Sequence, residues 1–230
     1  MPQGEKVQSM FASIAGRYDV LNHLLSFGLD FYWWRRMARL AGARPGARFL
    51  DVAAGTGDSS VALARRGAEV VSTDFTHAML RLGPEKFRRK GLAARIWSSS
   101  DADAQRLPFR EASFDGLTIC YGIRNVEDRA RAFREFHRVL RPGGSLTVLE
   151  FSTPVLPGFR GLYRWYSLNL LPRIGGWISG DPSAYAYLPE SIRNFPGQAE
   201  LAKEMGEAGF GEVRWTNLTG GIVAIHRGKR

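Results

Sequence analysis

The run Phe49-Leu50-Asp51-Val52-Ala53-Ala54-Gly55-Thr56-Gly57-Asp58 constrains this chain more than any other stretch. An apolar strand ends there in a loop of small residues, and a helix opens behind it. Without bulky side chains the loop backbone can come within contact distance of a ligand, and the free N–H groups of the first helical turn point at that ligand's polar atoms. Such a turn holds a nucleotide-bearing molecule. Spacing argues against a dinucleotide. Counted from Gly55 and Gly57, the third position of Gly-x-Gly-x-x-Gly falls on Ser60; counted from Ala53 and Gly55, it falls on Asp58.

Leu50-Asp51-x-Ala53-x-Gly55-x-Gly57 instead resembles motif I of the class I S-adenosylmethionine (SAM) methyltransferases. In that class the strand-end acid, here Asp51, and the loop backbone around Ala53, Gly55, Thr56 and Gly57 serve the methionine end of the cofactor. SAM has no pyrophosphate, so an acidic residue near the loop is tolerated. The segment Ala68-Glu69-Val70-Val71-Ser72-Thr73-Asp74 then reads as a β-branched second strand ending in an acid. Asp74 stands 23 residues beyond Asp51, where a carboxylate can accept hydrogen bonds from both ribose hydroxyls. An Asp capping a helix that starts near Thr76 is the alternative. Phe75 joins the cofactor set, and after the third strand Asp103 and Ala104 are placed to accept the adenine amine and lie against the ring.

At 230 residues and 44% hydrophobic content, the chain can bury a full α/β core. Strands are expected at 47–52, 69–73, 94–98, 114–121, 144–151, 212–217 and 221–226, with helices at 58–66, 76–90, 127–140 and 197–208. This alternation predicts a doubly wound, mostly parallel seven-stranded sheet, and Gly220-Gly221 predicts an antiparallel hairpin closing it. Residues 5–44 read as helical, the second helix running from Phe27 to Leu40. One domain is expected, divided into an amino-terminal helical cap (1–45), a cofactor-binding half (46–151), an aromatic lid (152–196) and a closing helix and hairpin (197–230). The single cysteine, Cys120, excludes an intrachain disulfide, and the four histidines show no metal-ligand spacing, so metal-free chemistry is expected. No apolar run of membrane-spanning length and no signal-peptide pattern occur, which predicts a cytoplasmic protein.

The fourth strand runs into Tyr121-Gly122-Ile123-Arg124-Asn125-Val126, and the fifth is framed by Arg141-Pro142-Gly143-Gly144 and Leu149-Glu150-Phe151-Ser152. These blocks resemble the menaquinone and ubiquinone biosynthesis C-methyltransferase family. So does the front of the chain, Phe11-x-x-Ile14-Ala15-x-x-Tyr18-Asp19-x-x-Asn22-x-x-Leu25-Ser26-Phe27-Gly28 with Trp33 and Arg35, and so do Leu171-Pro172-Arg173-Ile174-Gly175, Tyr185-x-Tyr187-Leu188-x-x-Ser191-Ile192 and Asn217-Leu218-Thr219-x-Gly221. The resemblance covers nearly the whole chain. It implies transfer of a methyl group from SAM to a ring carbon of a polyprenylated quinol, with demethylmenaquinol the first choice and dual action on the ubiquinol precursor the alternative. Its cofactor positions fall on Thr56, Asp74, Asp103, Ala104 and Cys120.

A quinol carbon becomes nucleophilic when its neighbouring hydroxyl ionises. A guanidinium bonded to that oxygen would stabilise the phenolate, which makes Arg124 the candidate catalytic group and Asn125 its orienting partner. Pairing of Arg124 with an acid, such as Glu127 or Asp128, is the competing reading. Tyr187 and His23 are the candidate proton acceptors. The charge of +10, from 32 basic and 22 acidic residues, suits nucleic acid or an anionic membrane surface. Enzymes acting on base amino groups carry an Asn/Asp-Pro-Pro-aromatic turn after the fourth strand, and here that place reads Cys120-Tyr121-Gly122-Ile123. The apolar, aromatic segment from Phe159 to Ile178 reads either as a core helix or as a lid with an apolar mouth on the bilayer, which would make the chain peripheral to the inner face of the cytoplasmic membrane. RNA methylation, another small-molecule methyl transfer and a non-catalytic SAM-binding module remain as other classes, and a homodimer is left open.

Overall fold

A computed structural model describes residues 8–9, 12–13, 15–98, 101–156, 158, 161, 163, 165–166, 169 and 189–230. Two amino-terminal helices, α1 (Tyr18–Leu25) and α2 (Leu29–Leu40), precede β1 (Arg48–Val52), α3 (Asp58–Ala64), β2 (Glu69–Thr73), α4 (His77–Leu80), α5 (Gly83–Arg89) and β3 (Ile96–Ser98). β4 (Phe114–Cys120), a 3-10 turn (Ile123–Asn125), α6 (Arg129–Val139), β5 (Leu140–Phe151), α7 (Gln198–Glu207), β6 (Gly211–Leu218) and β7 (Val223–Lys229) complete the order. The strands form one sheet in the order β3-β2-β1-β4-β5-β7-β6. β1 to β5 are parallel, while β7 lies antiparallel to both β5 and β6, as the Gly220-Gly221 pair predicts.

Parallel strands are covered on both faces, so they read as continuous apolar runs. Two core layers result. One face of the sheet packs Phe49, Val70 and Leu149 against Trp33 and Met37 of α2, Leu63 of α3 and Phe87 of α5. The other packs Leu50, Leu117 and Val148 against Phe133 and Phe136 of α6 and Leu201 and Met205 of α7. Helix α6 owes its place to local signals: Asp128 caps it by accepting from Arg131 N at 2.8 Å, and Ala132, Phe133, Phe136 and Val139 form its buried stripe. Arg129 clamps it to α7 with two bonds to Glu204, of 2.9 and 2.8 Å.

Two expectations need correction. The helix read over 76–90 is two helices, because Gly83-Pro84 cannot continue a preceding turn and instead opens α5 with proline in its first turn. The fifth strand begins at Leu140 rather than 144, with its pairing to β4 shifted between Phe114 and Gly116. The amino-terminal block divides into two helices as expected, with Phe27 and Gly28, at φ 53° and 74°, turning the chain between α1 and α2. Trp33 Nε1 then donates to Thr219 Oγ1 at 2.9 Å, which joins the front of the chain to the β6–β7 turn. Most of the aromatic segment 159–178, together with Leu171–Gly175 and Tyr185–Leu188, lies outside the described residues.

Phe133 is wholly buried between α6 and the sheet. Phe133→Ala is expected to lower unfolding free energy by about 3–5 kcal/mol in a urea titration, through lost burial and the cavity left behind.

Candidate active site

The strand order reverses between β1 and β4, and ligands of open α/β sheets sit in the crevice at the carboxyl ends of such a pair. Register fixes what meets there. One residue past the pairs Val52–Thr73 and Val52–Ile119 stand Ala53, Asp74 and Cys120. Tyr121 N donates to Leu149 O at 2.8 Å, which sets Glu150 on the same rim. Both strands β1 and β4 end in a non-glycine residue with left-handed backbone, Ala53 at φ 53° and Tyr121 at φ 55°. Side chains disfavour that region, so the surrounding structure must hold it. The two loops hold each other: a Cβ on Gly122 would lie 2.5 Å from the Ala53 Cβ, so only glycine allows this approach.

Asp51 is the innermost acid beneath this crevice. It is 0% exposed, and its carboxylate accepts from Ser59 and Ser60 of α3, both at 2.6 Å, and from Thr118 of β4 at 2.8 Å. The side chain braces the loop from beneath. Burial raises its carboxyl pKa to about 6, against the pull of the three hydroxyls, and the nearby Asp74 adds to the rise.

Above it the loop is built from backbone. Asp74 Oδ2 accepts from Gly55 N and Oδ1 from Thr76 N, each at 2.7 Å, so the acid both ties the two strand ends and turns the chain toward α4. Desolvation raises its pKa too. Carboxylate oxygens accept more than one bond each, so Asp74 retains capacity for hydroxyl donors. Phe75 beside it is half exposed, Ala104 is buried, and Asp103 Oδ1 accepts from Gln105 N at 2.8 Å. Cys120 is buried, and burial pushes its thiol well above the ordinary range, so it is a neutral, apolar wall. Gly57, at φ 91°, lets Phe87 of α5 pack on the loop, where an added Cβ would sit 2.5 Å from the ring.

Thr56 has partners that its sequence neighbours do not reveal. Its hydroxyl donates to Asp19 of α1 at 2.5 Å and accepts from Lys86 of α5 at 2.9 Å. Lys86, itself buried, also pairs with Asp19 at 2.6 Å and Asp58 at 3.0 Å. The cation thus pins α1 and α5 on the loop, and removing it would strand two carboxylates in a partly dry place.

Arg124 does pair with an acid, as the competing reading expects, but the acid is Glu150 rather than Glu127 or Asp128. Its Nη1 donates to Glu150 Oε1 at 2.6 Å and to Tyr121 O at 2.7 Å, with the two side chains only 5% and 1% exposed. Glu150 also accepts from Phe151 N at 2.9 Å, and burial raises its pKa against the pull of Arg124. The guanidinium lies 5.6 Å over the Phe151 ring. Its Nε is buried and has no hydrogen-bond partner among the described residues. Tyr163, whose phenol burial pushes up to about 12, lies within electrostatic reach of Arg124. Asn125 follows in the same 3-10 turn. His23 is not brought to this loop; its Nδ1 bonds Asp30 and its ring stacks on Phe31 at 4.4 Å. Tyr187 lies outside the described residues. The parts of Glu150, Asp19 and Lys86 were not legible from spacing, although Asp19 and Glu150 lie within the blocks that carry the resemblance.

The residues present fit SAM. The loop offers bare backbone at Gly55, where an added Cβ would meet only Met79 Cε at 3.6 Å, and an acid with spare acceptor capacity follows at the end of β2. Fold, loop and rim together define a class I SAM-dependent methyltransferase. Solved structures agree on the fold: SpnF, a cyclase, aligns over 100% of this chain and 97% of its own at TM-score 0.73 and 17% identity. A SAM-dependent methyltransferase from Thermotoga maritima aligns over 96% and 98% at TM-score 0.64 and 20% identity. The chain belongs to the ubiE/COQ5 methyltransferase family, whose model matches residues 2–230. It is 48% identical over 222 residues to the demethylmenaquinone methyltransferase of Mycobacterium marinum, covering 96% of this chain and 92% of the relative. It is 46% identical over 226 residues to the protein of that name from Streptomyces avermitilis, covering 98% and 95%. The ubiquinone/menaquinone biosynthesis C-methyltransferase UbiE of Proteus mirabilis is 46% identical over 225 residues, covering 96% and 89%.

Asp51 supplies a pH test of the loop's brace. Between the ordinary carboxylate pKa and about 6 the folded chain keeps a proton that the unfolded chain has lost, so its contribution to stability falls as pH rises through that window. Asp51→Asn, which cannot titrate, is expected to flatten the decline between pH 4 and 7 by about 3 kcal/mol, read as the wild-type-minus-variant difference in urea unfolding at each pH.

Proposed function

We propose that this enzyme methylates a ring carbon of a polyprenylated quinol, demethylmenaquinol first, at an anionic membrane surface. The observation that carries the reading is the buried Arg124–Glu150 pair on the rim beside the cofactor loop, with the Arg124 Nε left without an acceptor among the described residues. An oxygen-bearing ring entering this crevice can take that donor. Asp74 would hold the ribose hydroxyls, Asp103 the adenine amine, Phe75 and Ala104 the ring faces, and the backbone of Gly55, Thr56 and Gly57 the methionine end. When bound, SAM supplies an activated methyl group, so the protein's share of the chemistry is alignment, exclusion of water and charge stabilisation.

Arg124 supplies the last of these. Its Nε–H donates to the quinol oxygen as that oxygen takes up negative charge, which favours the phenolate and puts electron density on the neighbouring carbon. Glu150 fixes the guanidinium so that this donor needs no reorganisation, and Asn125 orients the ring from the same turn. The half-buried Tyr163 helps to keep water out. Relatives named for menaquinone alone and relatives named for both quinones are about equally similar to this chain, which supports dual specificity as the second reading. No helix among the described residues is long and apolar enough to cross a membrane, and surface docking suits such a chain.

The test is methyl transfer to a reduced demethylated naphthoquinol, compared with the benzoquinol and with transcript RNA. Naphthoquinol turnover is the expected result, and RNA as the sole acceptor would refute the reading. Arg124→Lys keeps a cation for Glu150 but loses the Nε donor, and it is expected to lower kcat on the order of 100-fold with SAM affinity unchanged. Asp74→Ala is expected to do the reverse, weakening SAM binding by about 1–3 kcal/mol in calorimetry.

A further inference from the structure

Two sequence-distant basic clusters and an apolar edge converge on one face of the molecule. A cavity of about 740 Å³ opens between α2, α3 and α5, and its wall carries Arg35, Arg39, Arg65, Arg66, Arg89 and Lys90, all exposed. Its two carboxylates, Asp19 and Asp58, are both bonded to Lys86. Among the described residues no carboxylate pairs with Arg35, Arg39, Arg65 or Lys90. Four cations of the groove thus face it without a carboxylate partner among the described residues, and the groove carries a net positive charge.

Along α2 the same surface changes character. At 100° per residue, Phe31, Tyr32, Arg35 and Arg39 fall within one sector of about 100°, so exposed aromatics give way to arginines on a single helix face. The α1–α2 turn continues the apolar part. Phe27, in a left-handed conformation that bulky residues avoid, is held 78% exposed, with Leu24 and Val20 half exposed behind it. Its ring lies 6.1 Å from Tyr166, whose hydroxyl donates to Leu25 O at 2.8 Å, and the adjacent Trp165 is 58% exposed. An apolar edge rimmed by arginines is what a lipid interface selects, because aromatic side chains settle at headgroup depth while guanidinium groups bind phosphate.

We propose that this face docks on an anionic phospholipid bilayer, with Phe27 and Trp165 entering the headgroup boundary and Arg35 and Arg39 taking lipid phosphates. The inference deepens the membrane part of the proposed function and rests on it only for its purpose, since docking requires no quinol. Tyr166, bonded to Leu25 O, ties the segment that carries Trp165 to the α1–α2 turn, so the aromatics of the docking edge are held together.

Flotation with phosphatidylglycerol–phosphatidylcholine vesicles, free of quinone, tests it. Wild type is expected to bind these vesicles in a salt-sensitive manner and to bind phosphatidylcholine alone far more weakly. Arg35→Gln with Arg39→Gln is expected to reduce binding by about tenfold to thirtyfold, and Phe27→Ser to reduce it as well. The charge-matched pair Arg214→Gln with Lys229→Gln lies on a second basic cavity at the opposite ends of the strands and is expected to leave binding unchanged. All variants should retain methyl transfer to a short-chain, water-soluble quinol, which shows that they fold. Equal vesicle binding by the α2 variants and wild type, or wild-type preference for RNA over the anionic vesicles, would overturn the docking face. Loss of quinol turnover in wild type with docking intact would instead overturn the acceptor, so the two failures are distinguishable.

Discussion

Asp51 is an ionisable side chain with no access to water, placed where β1, β4 and α3 meet. Burying a carboxylate is unfavourable unless its lone pairs are occupied. Here Ser59, Ser60 and Thr118 occupy them, and Ser60 passes the connection to Ser72 of β2 at 3.0 Å. Three neighbouring strands and one helix are thereby referred to a single point. The spacing of the rim follows from it: Ala53, Asp74 and Cys120 stand level because the strands beneath them cannot slide past one another without leaving this carboxylate unpaired.

Much of the frame was legible because the signals were local. Alternating apolar runs gave the seven strands, Gly220-Gly221 gave the hairpin, and the loop at Gly55 gave the switch point. What remained hidden depends on contacts across the chain. Lys86 looked like one cation in a charged helix, yet it is buried with Asp19 and Thr56, residues far removed in sequence. Glu150 closed a strand, and only the pairing of β4 with β5 shows that it faces Arg124. The three hydroxyls around Asp51 were hidden too, because a strand-end acid beside a loop says nothing of which side chains its carboxylate meets. The break at Gly83-Pro84 was visible in the residues, since proline opens a helix more readily than it continues one.

The blocks that resemble the family's flanking signatures acquire physical content in the same way. Trp33 reaches Thr219, and Asp19 reaches Thr56 and Lys86, so the amino-terminal helices are fastened to both the closing hairpin and the cofactor loop. They form one wall of the site rather than an appendage to it. The first helix, the loop after β1 and the β6–β7 turn are thus tied together by side-chain bonds between residues distant in sequence.

The position of β7 carries a consequence for how such a chain comes to be made. It is inserted between β5 and β6, so the backbone groups along one side of β5 have no partner until residues 223–229 are available. During synthesis β5 emerges well before them, and a bare parallel edge of this kind is a template for pairing with another nascent chain. Helix α7 and β6 are also laid down in that interval. Until the last residues are made, the central sheet therefore has an adhesive edge that only the end of the chain can close.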